Sequence, residues 1–168
     1  MDEIEIVPAG AAERPVLENL MHLYLYEFTD YTGDDADAQG RFLDEYLPRY
    51  WVEQNRYPFL VRVAGKPAGF ILVRDTSDGQ NGPVIHSIAE FLVMRKYRRK
   101  KVGQQMAFHI FDRFPGRWRV AQMAENHPAQ AFWRRVISAY TNGQYTEWHD
   151  SEWEGPLQEF ETEDRAAF

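Results

Sequence analysis

The sequence predicts a mixed α/β (α+β) sandwich, with helices packed against a central sheet. Three observations lead there. First, Ile88–Val93 is an apolar run with β-branched and aromatic residues, as a buried strand requires. Second, from Val102 the apolar positions Val102, Met106, Ile110 and Phe114, joined by Ala107 and Phe111, fall on one helical stripe. Third, the remaining elements alternate between short strand patterns and helical ones, which is the signature of layered packing around a sheet. With 168 residues the chain can bury a sizeable core and is most simply one domain, 1–168.

In chain order, Glu3–Pro8 sets Ile4 and Ile6 against Glu3 and Glu5 and reads as a first strand. Pro15 can open a helix, and Val16–Phe28 follows with Leu17, Leu20, Met21, Tyr24, Leu25 and Phe28 on one face. Asp30–Gln39 is an acidic loop, and Arg41–Trp51 reads as a second amphipathic helix with Phe42, Leu43, Tyr46 and Leu47 inward. Phe59–Val63 and Ala68–Arg74 flank Ala64-Gly65-Lys66-Pro67 as a hairpin. Asp75–Pro83 has the composition of a loop, and the strand at Ile88 comes next.

After the Val102 helix, Pro115-Gly116 is a stop. Trp118–Met123 reads as a strand, and Asn126 suits the N-cap of a helix bearing Ala129, Phe132, Trp133 and Val136. Thr141-Asn142-Gly143 is a turn before a strand at Gln144–Trp148, and one more apolar segment lies at Pro156–Phe160.

Composition narrows the function. The net charge of −7 argues against nucleic-acid binding, and no stretch has the length of a membrane span. The acidic N-terminus does not resemble a signal peptide, so a soluble, cytoplasmic protein is expected. The absence of cysteine removes thiolate chemistry, and no two histidines have metal-ligand spacing, so no metal is expected.

Between strand and helix, Arg95–Lys101 carries six cationic residues in seven. A strand running through such a turn into a helix aims N–H groups and the positive helix end at one spot, which suits phosphate. Gly103, lacking a side chain, is expected to let a ligand approach the backbone. The bland alternative for the run is a solvated surface loop.

Glu90 is a carboxylate within an apolar strand, where burial raises its pKa toward the range useful to a general base. Strict alternation puts His86, Ile88, Glu90 and Leu92 on one face and Phe91 and Val93 on the other, making Glu90 and His86 the catalytic candidates. A purely structural carboxylate, at a sheet edge or paired with an arginine, is the competing reading of Glu90.

The loop and helix resemble the GNAT family of acyl-CoA N-acyltransferases. The family pattern Arg/Gln-x-x-Gly-x-Gly/Ala reads here Arg98-Arg99-Lys100-Lys101-Val102-Gly103, with Lys101 in place of the first glycine. Downstream, Asn126-His127-Pro128-Ala129-Gln130-Ala131-Phe132-Trp133 is similar to the family's Asn-x-x-Ala-x-x-Phe-Tyr segment, with Trp133 where the tyrosine stands.

The resemblance implies a three-layer α/β/α sandwich around a mixed, mostly antiparallel sheet of about six or seven strands. It also implies acetyl transfer from acetyl-CoA to a small-molecule or peptide amine. Backbone amides of Arg98, Arg99, Lys100, Lys101, Val102, Gly103 and Gln104 are then expected on the pyrophosphate. Phe91 and Val93 are expected to offer backbone groups to the pantetheine arm, and the N–H near Val93 to the oxyanion. Asn126, Phe132 and Trp133 are expected to border the same channel, and the apolar C-terminal strands could pair in a homodimer. The alternative class is an acyl-CoA-binding or regulatory domain without catalysis.

Overall fold

The structure is a computed structural model that describes residues 2–164. Its elements are β1 (Ile4–Pro8), α1 (Arg14–Thr32), β2 (Arg56–Val63), β3 (Lys66–Ser77), β4 (Val84–Val93), α2 (Val102–Arg113), β5 (Gly116–Ala121), α3 (His127–Thr141), β6 (Thr146–His149) and β7 (Pro156–Thr162). The strands form one seven-stranded sheet in the order β1-β2-β3-β4-β5-β7-β6, in which β4 and β5 run parallel and the other neighbours antiparallel. Among the described residues no helix is long and apolar enough to cross a membrane.

Each sheet face carries its own core, which gives the three layers. Leu17, Leu20, Met21 and Tyr24 of α1 pack on Leu60, Phe70, Leu72 and Leu92. On the other face Met106, Ile110 and Phe111 of α2 and Trp133, Val136 and Ile137 of α3 cover Val61, Ile71, Val73 and Trp118. The alternation of β2 and β3 feeds both cores at once, which is why these strands read as nearly continuous apolar runs. Their hairpin turns on Ala64 and Gly65, both at positive φ (49° and 77°), as a two-residue turn matched to strand twist requires.

Two expectations are corrected. Arg41–Trp51 is not a helix; only Leu47–Trp51 forms a short 3-10 turn. Side-chain carboxylates divert the backbone before it: Asp37 Oδ1 accepts the N–H groups of Gln39 and Arg41, and Asp44 Oδ1 accepts that of Tyr46. Leu43 and Tyr46, expected inward, are 69% and 47% exposed. The loop expected from Asp75 begins later, because Asp75–Ser77 extends β3 and pairs with Val84–His86.

The register of β3 and β4 shifts between Leu72 and Val73. Leu72 faces Glu90 whereas Val73 faces Ile88, so Ala89 is an extra residue on β4. Such a bulge reverses the alternation of side chains along the strand.

Candidate active site

The bulge decides which way Glu90 points. Beyond it Glu90 and Leu92 turn to the α1 side and Phe91 and Val93 to α2 and α3, the side that Ile88 takes before it. His86, expected beside Glu90, lies before the bulge and faces the opposite core, its ring against Phe114 and Trp118. Its Nδ1 meets Asp75 Oδ1 at 2.6 Å and its Nε2 meets the Pro115 carbonyl at 3.2 Å. Its shared face with Glu90, the reason for its candidacy, is therefore lost.

Glu90 is partly buried and accepts a hydrogen bond from the Tyr24 hydroxyl of α1. Neither a sheet edge nor an arginine accounts for it, since β4 is interior to the sheet and the partner is a phenol. Desolvation pushes its pKa up from 4.5 to about 7, against the Tyr24 hydrogen bond, which lowers it; the charge of Asp44 adds a further upward push. Tyr24 is in turn raised well above the phenol range by burial and by the Glu90 charge. Tyr50, on the same side, is pushed up to about 12 chiefly by burial. Glu90 is thus a buried carboxyl group with its pKa near neutrality and the Tyr24 hydroxyl fixing its orientation.

On the neighbouring side the sheet opens. β4 and β5 pair only over Ile85–Ser87 and Arg117–Arg119, and β5 continues with β7 alone among the described residues. The Met94 N–H donates to the Ala68 carbonyl at 2.8 Å, so by ladder alternation Leu92 and Glu90 also direct their backbone groups to β3. Phe91 and Val93 then direct theirs into the opening beside β5. Arg98 Nε takes the Val93 carbonyl at 2.7 Å. The Val93 N–H is what that residue offers to the opening.

α2 and α3 both start beyond the ends of these two separating strands. Arg99 and Lys101 have left-handed backbones, each with φ 61°, and Lys101 is the N-cap of α2 without a side-chain cap. The amides from Lys101 to Gln104 precede Gln105, the first donor of the helix, whose N–H donates to the Lys101 carbonyl at 3.1 Å, and they lie at the positive helix end. Alternation of left-handed residues in such a turn makes a concave cluster of donors that fits an anion. Lys101 stands where the family pattern has glycine, and its φ explains that preference. The side chains of Arg99, Lys100 and Lys101 are exposed, whereas Arg98 is committed to Val93 and to Glu27 at 2.7 Å, which also holds Arg95 at 2.9 Å.

Gly103 also has a packing role that the sequence did not show. It is buried, and a Cβ there would lie 3.0 Å from the Phe132 ring and 3.4 Å from Val93 Cγ2. The missing side chain makes room for α3. Phe132 and Trp133 form with Phe91 an aromatic group, the Trp133 ring 4.8 Å and the Phe132 ring 5.7 Å from it between centroids. Asn126 caps α3, its Oδ1 accepting the Ala129 N–H at 3.2 Å. Val102 is buried and Gln104 partly so.

The sequence places Tyr24 on the apolar face of α1 and gives no sign that it is the partner of Glu90, because that position equally suits packing. The roles of Glu27 and Asp44 were not visible at all. Both depend on contacts between segments far apart in the chain.

The residues present fit an acyl-CoA thioester: donors at the start of α2 for the pyrophosphate, and the free edge of β4 for the amide-bearing arm. Known proteins agree. Residues 17–137 match the model of the acetyltransferase (GNAT) family. No curated protein sequence matches the chain. Among solved structures, an acetyltransferase from Thermus thermophilus aligns with TM-score 0.65 at 16% identity, over 96% of this chain and 99% of its own. The ribosomal-protein-S18-alanine N-acetyltransferase of Escherichia coli gives TM-score 0.61 at 13% identity, over 95% and 94%. An aminoglycoside acetyltransferase from an uncultured soil sample, in complex with sisomicin, gives 0.58 at 16%, over 79% and 86%. With a family match across most of its length and a sheet that opens beside Phe91 and Val93, the chain belongs to the GNAT family and is an acetyl-CoA-dependent N-acetyltransferase.

Proposed function

We propose that the acceptor is a primary amine that attacks the thioester directly, with Glu90 as the base. The observation that carries this reading is the desolvated Glu90 carboxylate, held by Tyr24 and adjoining the free edge of β4. A base with pKa near the working pH combines a populated basic form with useful driving force for proton transfer.

Acetyl-CoA, when bound, supplies the activated carbonyl. The Val93 N–H is the donor suited to the carbonyl oxygen as negative charge grows on it. The new bond joins the amine nitrogen to the acetyl carbon, the carbon–sulfur bond breaks, and the amine proton passes to Glu90. The leaving thiolate takes its proton from water, since the family's tyrosine position is occupied by Trp133, whose indole does not serve as an acid near neutrality. Amides at the start of α2 and the exposed Arg99, Lys100 and Lys101 supply donors and charge for the pyrophosphate.

A panel of amines incubated with acetyl-CoA, followed by thiol release and mass analysis of the products, tests this reading. Acetylation of a primary amine that is slowed in Glu90→Gln supports it; transfer at the parent rate in that variant removes Glu90 as the base.

A further inference from the structure

Tyr24 and Glu27 lie three residues apart on α1 and so share one side of the helix. Tyr24 holds Glu90. Glu27 holds the turn that follows β4. Its Oε1 accepts from Arg95 Nε at 2.9 Å and its Oε2 from Arg98 Nη2 at 2.7 Å. Both arginines are exposed, and ion pairs of that kind add little to stability. Fold stability is therefore a poor account of the arrangement.

What the contacts fix is the end of β4. The last carbonyl of that strand, Val93, accepts from Arg98 Nε at 2.7 Å. The next N–H, that of Met94, donates to the Ala68 carbonyl at 2.8 Å. The peptide between Val93 and Met94 is thus tied on both sides. Among the described residues β5 pairs with β4 no further than Ser87, so at Val93 the strand has a neighbour on the β3 side alone. Arg98 stands in for the missing one. Its planar fork spans two acceptors on different elements, and Glu27 keeps it there. A strand end tied on one side only is free to fray, and Val93 is the residue whose N–H borders the opening.

We propose, resting on the reading above in which the Val93 N–H meets the acetyl carbonyl oxygen, that Glu27 is a positioning residue for the transfer. By keeping Arg98 on the Val93 carbonyl it fixes the direction of the oxyanion donor, so one side of α1 sets the base through Tyr24 and the donor through Glu27. A donor slightly out of place loses much of its hold on charge that develops only in the transition state. The test combines backbone NMR of the CoA-free chain with initial rates on an amine that the parent acetylates. In Glu27→Ala and Arg98→Ala the Val93 and Met94 amide resonances should both move. Glu27→Ala should lower kcat about tenfold with the KM for acetyl-CoA and the unfolding midpoint near the parent's, as loss of transition-state alignment requires. Glu27→Gln, whose amide oxygen accepts from one arginine, should recover part of the rate. The double variant should have the kcat of Arg98→Ala, because Glu27 acts through Arg98. Unmoved amide resonances, a parent-like kcat, an effect confined to KM, or additive losses in the double variant overturn the proposal. A parent that acetylates no amine removes its catalytic half, while the resonances still decide whether Glu27 sets Val93.

Discussion

Tyr24 and Glu90 meet across the interface of α1 and β4, the phenol donating to the carboxylate over a separation of 66 residues in the chain. The hydrogen bond favours the charged carboxylate and burial favours the neutral acid. Burial wins, as the elevated pKa of about 7 records. Stability and, in the proposed mechanism, catalysis then depend on the same proton.

Glu90→Gln should separate the two. The ordinary carboxylate value is 4.5 and the folded value about 7, so between them the folded state holds a proton that the unfolded state has released. Stability contributed by protonated Glu90 is present at low pH and is lost as pH rises through that window, by on the order of 3 kcal/mol. The amide variant should therefore lose this pH dependence and be more stable than the parent at pH above about 7 in denaturant unfolding. Its transfer rate should fall by about 10²–10⁴, with CoA affinity retained. An unchanged rate and pH–rate profile would leave Glu90 a structural group.

Tyr24→Phe tests the partner. Without the phenol the buried carboxylate loses the one interaction that favours its charge, so its pKa should rise by about one unit. The alkaline shift should appear in the rising limb of kcat/KM against pH. If that limb stays where it is in the parent, either the base is not Glu90 or Tyr24 does not orient it.

The helices and strands were legible in the sequence wherever apolar spacing was regular, as in α2, and caps such as Asn126 were legible from residue type. The second helix was misread because Asp37 and Asp44 bond to nearby backbone amides, a local competition that hydrophobic spacing does not reveal. The face of His86 was misread because a bulge at Ala89 is a property of the pairing between β3 and β4, not of β4 alone. Gly103 shows the same limit. Its close packing against Phe132 joins residues 29 positions apart.

That relationship predicts coupling between the two. Gly103→Ala should destabilise the CoA-free protein by about 1–3 kcal/mol, because the added methyl meets the Phe132 ring. Adding Phe132→Leu should recover part of the loss, so the double variant is more stable than the sum of the singles implies. Strict additivity in denaturant unfolding would return Gly103 to the role first read for it, close approach by the ligand.

Trp133 is the departure from the family pattern with the most direct chemical consequence. Its indole is buried between α2 and the sheet, with Phe91, Phe111 and Phe132 around it. An indole N–H donates a hydrogen bond but supplies no proton near neutral pH. Tyr140 is no substitute, since its hydroxyl donates to Asp112 at 2.6 Å, near the far end of α2 from the Lys101 cap. A thiol with an ordinary pKa near 8.5 already leaves as a tolerable anion, so water suffices to protonate it. The task left to Trp133 is packing: it buttresses Phe91, whose backbone borders the opening in the sheet. Trp133→Phe should then keep most of the transfer rate. Trp133→Ala should cost about 3–5 kcal/mol of fold stability and weaken CoA binding as Phe91 loses its support. A Phe variant that binds acetyl-CoA like the parent yet loses transfer by orders of magnitude would give the indole N–H a part in the chemistry that its buried, aromatic surroundings argue against.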